Sequence, residues 1–556
     1  MNSVDTADAV QNVRNFLKFL MLYDAAVSVD DLRQQLRDRG YLSHGIERWF
    51  ALDPWSSRTF WIELIIVTAK AALLIAAFAM PALVAIMLFR NHPLSATETL
   101  LMAIAYAGSA FVLTFVMILV VALILKLRPS LALDTPRALL GISFAASGVI
   151  AGAIAVWWSQ FGSAPSLPEL ISGLILIVTL FLVATIVISA ALLSFSIYEL
   201  KRVPSIHQRS RGVPMSLAAA ILTALLFLPA YASQEHGPAS PPIQVVTSPS
   251  HARVAFIAVD GLTYELATMR AFRKLSVPPM AEQSTTERWA SVGTGVGGQL
   301  HGVHAVEGVR LRGGSHLLQS VSQSDVVLFR IAPAIGLADR EALPPTVRRR
   351  DFVWEIFAAR GVPSLAVNWW TTDDRRDGVL RSIGQASIFA AAGNDPLQLD
   401  SGTLKRALSE VDRSKPMFAT VYLPALDVIL NRLHLDRSAQ LAQFLRALDA
   451  IGFAISAFQG RGYEVVLLGL PGDKQGGSAV LLSTFPLART PSSAYDVAPT
   501  LCALMGFPAS SEMSGISLVP SDLPRIASYG PRLAARENVR LSDEYYQNLK
   551  SLGYIK

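Results

Sequence analysis

Residues 251–266 read HARVAFIAVDGLTYEL and contain the clearest strand signal of the chain. The centre, RVAFIAV, is a short, continuously apolar run that stops at Asp260 and Gly261. Such a run predicts a strand buried on both faces, as in parallel sheets. Similar runs follow at SLAVNW (364–369), PMFATVYL (416–423), YEVVLLGL (463–470) and SAVLLS (478–483). Because helical patterns separate these runs, we predict an α/β domain with a mostly parallel sheet flanked by helices.

Two aspartates follow predicted strands of this sheet. Asp260 comes directly after RVAFIAV, and Asp427 lies four residues beyond PMFATVYL. The carboxyl ends of parallel strands share one edge of the sheet, and ligands of such domains bind at that edge. Asp260 and Asp427 are therefore candidate site residues.

The composition of the chain excludes an ordinary soluble protein. The 556 residues are 52% hydrophobic and 16% charged, whereas soluble domains contain about 25% charged residues. About 20 apolar residues suffice for a helix that crosses a bilayer. Five segments are long enough, and they predict an all-α transmembrane domain of five helices: roughly 65–89, 99–125, 138–158, 169–197 and 214–232.

Basic residues set the predicted orientation of these spans. Lysine and arginine are concentrated in the loops 126–137 and 198–213, which the positive-inside rule places in the cytoplasm. The predicted organisation is a cytoplasmic helical segment (1–60), a transmembrane domain (61–232), a linker (233–251) and an extracytoplasmic domain (252–556). The same loops account for the net charge of +6, and no nucleic-acid-binding module is present. A bacterial inner membrane is the expected location.

Five motifs occur in order between residues 252 and 556. After HARVAFIAVDGLTYEL come TTERWASVGTGVGGQLHGVH (285–304), DFVWEIFAARGVPSLAVNWWTT, YDVAPTLCALMGFP and LSDEYYQNLKSLGYIK. They resemble the alkaline phosphatase superfamily, in particular its sulfatase-like type I phosphodiesterase/nucleotide pyrophosphatase branch. Spans followed by such a domain also resemble phosphoethanolamine transferases and lipoteichoic acid synthases, in architecture only.

The resemblance implies phosphoryl-transfer chemistry with two divalent metal ions, zinc or manganese, and a hydroxyl nucleophile. The nucleophile position falls on Thr285, with Thr286 as the alternative register. A hydroxyl at a helix start lies near exposed backbone N–H groups, which favour its alkoxide. The metal ligands carried over to this chain are Asp260, Thr285 and Asp427.

At other metal-ligand positions of the family, this chain has residues of a different type. Asn431 stands where the family has a histidine four residues after the aspartate, and Leu470 and Pro471 stand where it has the Asp-His pair of S-D-H-G. The stretch DKQGGSAVLLS lacks the last expected histidine. Because three ligands cannot hold two divalent ions, we predict a residual, incomplete metal site and no bound cofactor.

Replacement ligands and structural roles remain open alternatives. The candidate replacements are His301, His304, His434 and Asp473. In the structural alternative, the Asp260 carboxylate holds its own turn by accepting backbone N–H bonds, and Thr285 caps its helix.

Two further groups offer binding or structural roles. Trp369 and Trp370 either stack on a ligand or form a buried pair. The run Arg348-Arg349-Arg350 either meets phosphates or forms a solvated face that Asp351 and Glu355 balance.

The sequence thus predicts a membrane-anchored protein that is catalytically impaired. Its expected role is binding or scaffolding of a phosphorylated glycan, lipid headgroup or envelope protein at the outer membrane face. The alternative is an active metal-dependent phosphodiesterase or phosphotransferase with Thr285 as nucleophile.

Overall fold

A computed structural model describes most of the chain, which divides near residue 235 into two compact units. The described residues are 60–90, 96–127, 136–159, 167–198, 247, 252–267, 273–278, 284–314, 316–319, 326–376, 378–392, 395–434, 436–472, 475–532 and 541–555. The predicted fifth span (214–232), the N-terminal segment 1–59 and most of the linker lie outside them.

Four apolar helices form the described part of the first unit: α1 (Phe60–Arg90), α2 (Ala96–Leu127), α3 (Pro136–Ser159) and α4 (Leu167–Tyr198). They lie where the first four spans are predicted. Within α2 and α4, Glu98–Ile124 and Gly173–Leu192 are long and apolar enough to cross a bilayer. The chain is therefore an integral membrane protein, while the number of spans and the domain boundaries stay predictions.

The second unit is built on a seven-stranded sheet with β1 (Arg253–Asp260) at its centre. The remaining strands of this sheet are β2 (Arg273–Val277), β6 (Ser364–Val367), β7 (Leu380–Ile383), β8 (Phe418–Leu423), β9 (Tyr463–Leu470) and β10 (Ala479–Ser483). Their order is β2-β10-β9-β1-β8-β6-β7. Strand β10 runs antiparallel to the other six strands, which are parallel to one another. The predicted mostly parallel α/β fold is confirmed.

Helices cover this sheet, and a small antiparallel sheet lies beside it. The small sheet consists of β3 (Glu307–Leu311), β4 (Leu317–Gln319) and β5 (Ala338–Ala342), in the order β4-β3-β5. The α-helices of the second unit are α5 (Thr285–Thr294), α6 (Gly298–His301), α7 (Ala332–Ala334), α8 (Val353–Ala359), α9 (Gln385–Ala392), α10 (Pro396–Ser414), α11 (Ala425–Asp427), α12 (Arg437–Gln459), α13 (Val497–Leu504) and α14 (Asp543–Ser551). Short π turns (Val327–Ile331, Val428–Arg432) and 3-10 turns (Pro345–Val347, Ala494–Asp496) complete it.

An aromatic cluster fixes how α5 lies on the sheet. Trp289 is fully buried, and its ring centroid lies 5.4 Å from that of Tyr422 and 6.0 Å from that of Trp369. Residues four apart share one face of a helix, so the packing of Trp289 also turns Thr285 toward the sheet. The first turn of α5 therefore lies at the carboxyl-terminal edge of the sheet.

Gly261 lets the turn after β1 approach Asp427 closely. Its φ is +83°, and a Cβ at this position would lie 2.5 Å from the backbone nitrogen of Asp427. Only glycine combines this φ with such a short approach at low cost. The two aspartate-bearing segments are therefore in direct backbone contact.

We expect Gly261→Ala to destabilise the protein more than Gly361→Ala. Gly361 has a φ of +85° but nothing within 4 Å of its Cβ position, so its substitution carries only the left-handed penalty of about 1–2 kcal/mol. At Gly261, contact with Asp427 adds about 1–3 kcal/mol of overpacking. Thermal unfolding of the full chain in detergent measures both variants; equal losses would contradict the close approach.

Candidate functional site

Asp260, the last residue of β1, is fully buried at the carboxyl-terminal sheet edge. The hydroxyl of Tyr422 on β8 donates to Asp260 Oδ2 at 2.9 Å. Burial first, and then the charge of Asp260, raise the pKa of Tyr422 well above its ordinary value. Tyr422 therefore stays protonated and links the two central strands through this bond.

Asp427 is the last residue of α11, and its carboxylate forms an ion pair with an arginine. Asp427 is fully buried, and Arg432 Nε donates to its Oδ2 at 2.5 Å. Asn431 Nδ2 donates to Oδ1 at 2.8 Å. The π turn that carries Asn431 and Arg432 follows α11 directly. Both carboxylate oxygens of Asp427 are thus engaged by side chains from the next turn of the same segment.

Thr285 is the first residue of α5 and is bonded to the same arginine. Arg432 Nη2 donates to Thr285 Oγ1 at 2.9 Å. The helix cap is Ser284, whose Oγ accepts from Glu287 N, so the alternative that Thr285 is the N-cap is wrong. Thr286 donates to Ala305 O at 2.6 Å and faces away from this network. Of the two predicted registers, only Thr285 lies beside Asp427 and Arg432.

A second guanidinium approaches Thr285 from its own helix. Arg288, one turn along α5, donates through Nη1 to Pro471 O at 2.6 Å, and its Nη2 lies 3.5 Å from Thr285 Oγ1. Leu470 pairs with Asp260 across β9 and β1 and is buried. Leu470 and Pro471 therefore lie at the sheet edge beside Asp260, where the resemblance implies two metal ligands.

Tyr554 and Gly472 lie against the Asp427–Arg432 pair. The Arg432 guanidinium lies 4.1 Å from the centroid of the Tyr554 ring, in a cation–π contact. A Cβ at Gly472 would lie 2.1 Å from both Asp427 Oδ1 and Asn431 Nδ2. The Asp427–Arg432 pair, with side chains 0% and 9% exposed, is therefore tightly enclosed.

The residues at this edge do not fit a two-metal centre. Divalent zinc or manganese needs several carboxylate or imidazole ligands that converge with free lone pairs. Here the Asp427 oxygens accept from Arg432 and Asn431, and a guanidinium, not an anion, bridges Asp427 to Thr285. Among the described residues, no group of three or more His, Cys, Asp or Glu side chains is placed to hold a metal ion.

The proposed replacement ligands do not join this network. His301 accepts from Val303 N through Nδ1, and its Nε2 lies 2.9 Å from Ser291 Oγ; burial lowers the pKa of His301 well below its ordinary value. His304 Nδ1 lies 3.6 Å from Glu287 Oε1, and the backbone oxygen of His304 accepts from Ser284 Oγ. His434 is exposed, and Asp473 lies outside the described residues.

The aromatic and basic candidates are structural. Trp369 is fully buried and donates to Thr420 Oγ1 at 2.9 Å, and Trp370 packs on Tyr554. The tryptophans thus form a buried pair at the site edge. The solvated-face prediction for the basic run is wrong for Arg348, which is buried, pairs with Glu355 at 2.6 Å and lies over the Phe352 ring.

Arg288, Arg432 and Tyr422 are the site residues that the sequence prediction missed. Arg432 directly follows Asn431, the position of a lost histidine, and Arg288 lies one turn after Thr285. A cation directly after Asn431 and another one turn after Thr285 were the available signal. The resemblance drew attention to missing ligands and not to these neighbouring cations.

Comparison with known proteins yields similarity to solved structures only. No protein-family model and no curated protein matches the chain. Phosphonoacetate hydrolase from Sinorhizobium meliloti 1021, in complex with phosphonoformate, matches at 9% identity and TM-score 0.28, over 56% of this chain and 100% of the other. With phosphonoacetate bound, the match spans 42% of this chain and 60% of the hydrolase.

Two membrane-related proteins also match. The lipoteichoic acid synthase LtaP from Listeria monocytogenes matches at 9% identity and TM-score 0.29, over 56% of this chain and 94% of the other. The integral membrane lipooligosaccharide phosphoethanolamine transferase A (EptA) from Neisseria meningitidis matches at 10% identity and TM-score 0.28, over 82% and 96%. The identities and TM-scores of these matches are too low to carry any argument about activity.

A further buried carboxyl group, that of Asp400, contacts the segment that carries Asp427. Asp400 on α10 is buried, and its Oδ1 accepts from Ala425 N, the first residue of α11, at 3.1 Å. Its Oδ2 has no hydrogen-bond partner among the described residues. Burial raises the pKa of Asp400 to about 8, against the smaller opposing effect of the Ala425 N–H.

We expect Arg432→Met to cost about 3–5 kcal/mol of stability, because it leaves Asp427 buried and unpaired. Arg350→Met is the matched control: its pair with Glu512 is partly exposed, with side chains 22% and 24% accessible, and its loss should cost about 0–1 kcal/mol. Chemical denaturation of the full chain measures both. The double variant Asp427→Leu/Arg432→Met should recover part of the loss; equal costs for Arg432→Met and Arg350→Met would contradict the buried bridge.

The raised pKa of Asp400 predicts stability that falls as pH rises. Between about pH 4, where the unfolded carboxyl titrates, and about pH 8, the folded state binds the extra proton, so rising pH favours unfolding. Asp400→Asn removes this decline, and its stability advantage over the parent should grow from pH 5 to pH 8.5. A constant advantage for Asp400→Asn would argue against burial of a protonated acid.

Proposed function

We propose that this chain is a membrane-anchored, catalytically inactive protein with an alkaline phosphatase-like outer domain. One observation carries the proposal: the Arg432 guanidinium binds both Asp427 and Thr285. The resemblance makes Asp427 and Thr285 metal-ligand positions, and here a guanidinium lies between them. A guanidinium supplies a fixed positive charge but has no open coordination site for a phosphoryl oxygen and no bound water to ionise.

The contacts of Thr285 bear on its capacity as a nucleophile. Thr285 Oγ1 accepts from Arg432, and Arg288 Nη2 lies 3.5 Å from it. A threonine hydroxyl without a base or a metal ion is a weak nucleophile. Its position at the helix start and beside two guanidiniums favours an alkoxide, and this is what keeps the phosphodiesterase or phosphotransferase alternative worth testing.

The inactive domain is proposed to act through binding. Its partners would be a phosphorylated glycan, a phosphorylated lipid headgroup or an envelope protein at the outer face of a bacterial inner membrane. The N-terminus would lie in the cytoplasm and residues 252–556 outside, as the basic loops indicate. The domain would require neither zinc nor manganese.

Metal content and hydrolysis test this proposal together. The purified full chain should contain substoichiometric zinc and manganese after dialysis, and its hydrolysis of a p-nitrophenyl phosphodiester should equal that of Thr285→Ala. Thr286→Ala is the matched control, because Thr286 bonds only within the scaffold. One or two metal ions per chain with turnover that Thr285→Ala abolishes and Thr286→Ala retains would replace this proposal with an active enzyme.

A further inference from the structure

Helix α12 carries an apolar outer face that the fold does not cover. Leu441, Leu445 and Phe453 are 57%, 52% and 59% exposed. These three positions, at spacings of four and eight residues, lie on one side of the helix, and Ser456 lies on the same side. We call Leu441, Leu445 and Phe453 the outer apolar face.

The opposite side of α12 belongs to the domain core. Its buried side chains are Ala447, Ile451, Ala454, Ile455 and Phe458, and they pack with the apolar residues of the sheet. The helix is 23 residues long and its composition is apolar enough for a membrane span. Because half of it is fixed to the sheet, it cannot cross a bilayer without unfolding the domain.

We propose that the outer apolar face of α12 docks on the surface of the lipid bilayer. The helix has apolar residues on its free side, and the exposed charged residues of the helix and its cap are Asp436, Arg437, Arg446 and Asp449. Leucine and phenylalanine next to arginine is the composition of helices that lie in the membrane interface. These four charges sum to zero, and Asp449 lies on the same side as the apolar residues, four positions from Leu445 and four from Phe453. Docking therefore rests on the apolar side chains and not on attraction to anionic lipid.

The bilayer fits this face better than a second copy of the chain. The apolar helices α2 and α4 anchor the same chain in a membrane, so lipid is present at high effective concentration. Three half-exposed side chains offer on the order of 300 Å², whereas a stable protein interface takes about 800 Å² from each partner. Insertion into lipid needs no shape complementarity. The proposal does not depend on the state of the Asp427–Arg432 site.

Fluorescence quenching in reconstituted vesicles tests the docking. The full chain with Ser456→Cys carries an environment-sensitive fluorophore; the single native cysteine, Cys502, is fully buried and unreactive by comparison. Vesicles contain phosphatidylcholine and phosphatidylglycerol, some with a nitroxide near the headgroup. We expect the label at position 456 to be quenched at least about twofold more than the same label at Ser521→Cys, an exposed position outside α12.

Substitutions on the outer apolar face test whether its side chains make the contact with lipid. Leu441→Gln/Leu445→Gln/Phe453→Gln should abolish the excess quenching, while Ile335→Gln/Val379→Gln/Ile516→Gln, at exposed apolar positions elsewhere, should retain it. Circular dichroism and thermal unfolding check that both variants fold. Quenching at 456 no greater than at 521, or unaffected by the α12 variant, would overturn the proposal. Self-quenching at 456 that rises with protein-to-lipid ratio, without nitroxide quenching, would replace the bilayer with a second copy.

Discussion

The site depends on one buried charge and on what neutralises it. Asp427 lies at the carboxyl-terminal edge of the sheet with no exposure, and a carboxylate there needs a cation at contact distance. Arg432 supplies that cation from five residues along the chain and at the same time fixes Thr285. The charge that neutralises Asp427 is thus part of the polypeptide.

The scaffold around this pair is the mostly parallel α/β sheet with its flanking helices. The turn after β1 contacts Asp427, Tyr422 ties β8 to β1 through Asp260, and Trp289 orients the helix that carries Thr285. These constraints bring Asp260, Thr285 and Asp427 to one edge. They would position the groups equally well in an enzyme or in an inactive relative, so the side chains that fill the edge determine the chemistry.

The fold was predictable from the sequence because its signal is local. Continuous apolar runs such as RVAFIAV specify buried parallel strands, and all five predicted runs lie in the large sheet. Asp260 and Asp427 followed from the strand-end rule. Arg288 and Arg432 did not, because tertiary contacts set their partners: Arg432 bonds Thr285 across 147 positions, and Arg288 bonds Pro471 across 183. The burial of Arg348 was missed for the related reason that its guanidinium is covered by Phe352 and paired with Glu355.

Gly472 limits which substitutions this edge of the sheet can accept. Asn431 and Asp427 occupy the volume that any side chain at this position would need, and Arg432 holds Asp427 in place. Introducing a histidine or aspartate at positions 431, 470 or 471 singly would add an unpaired buried group beside an arginine that repels metal ions. Building a metal centre at this edge would therefore require several exchanges at once, and each single exchange would pass through a poorly folded intermediate.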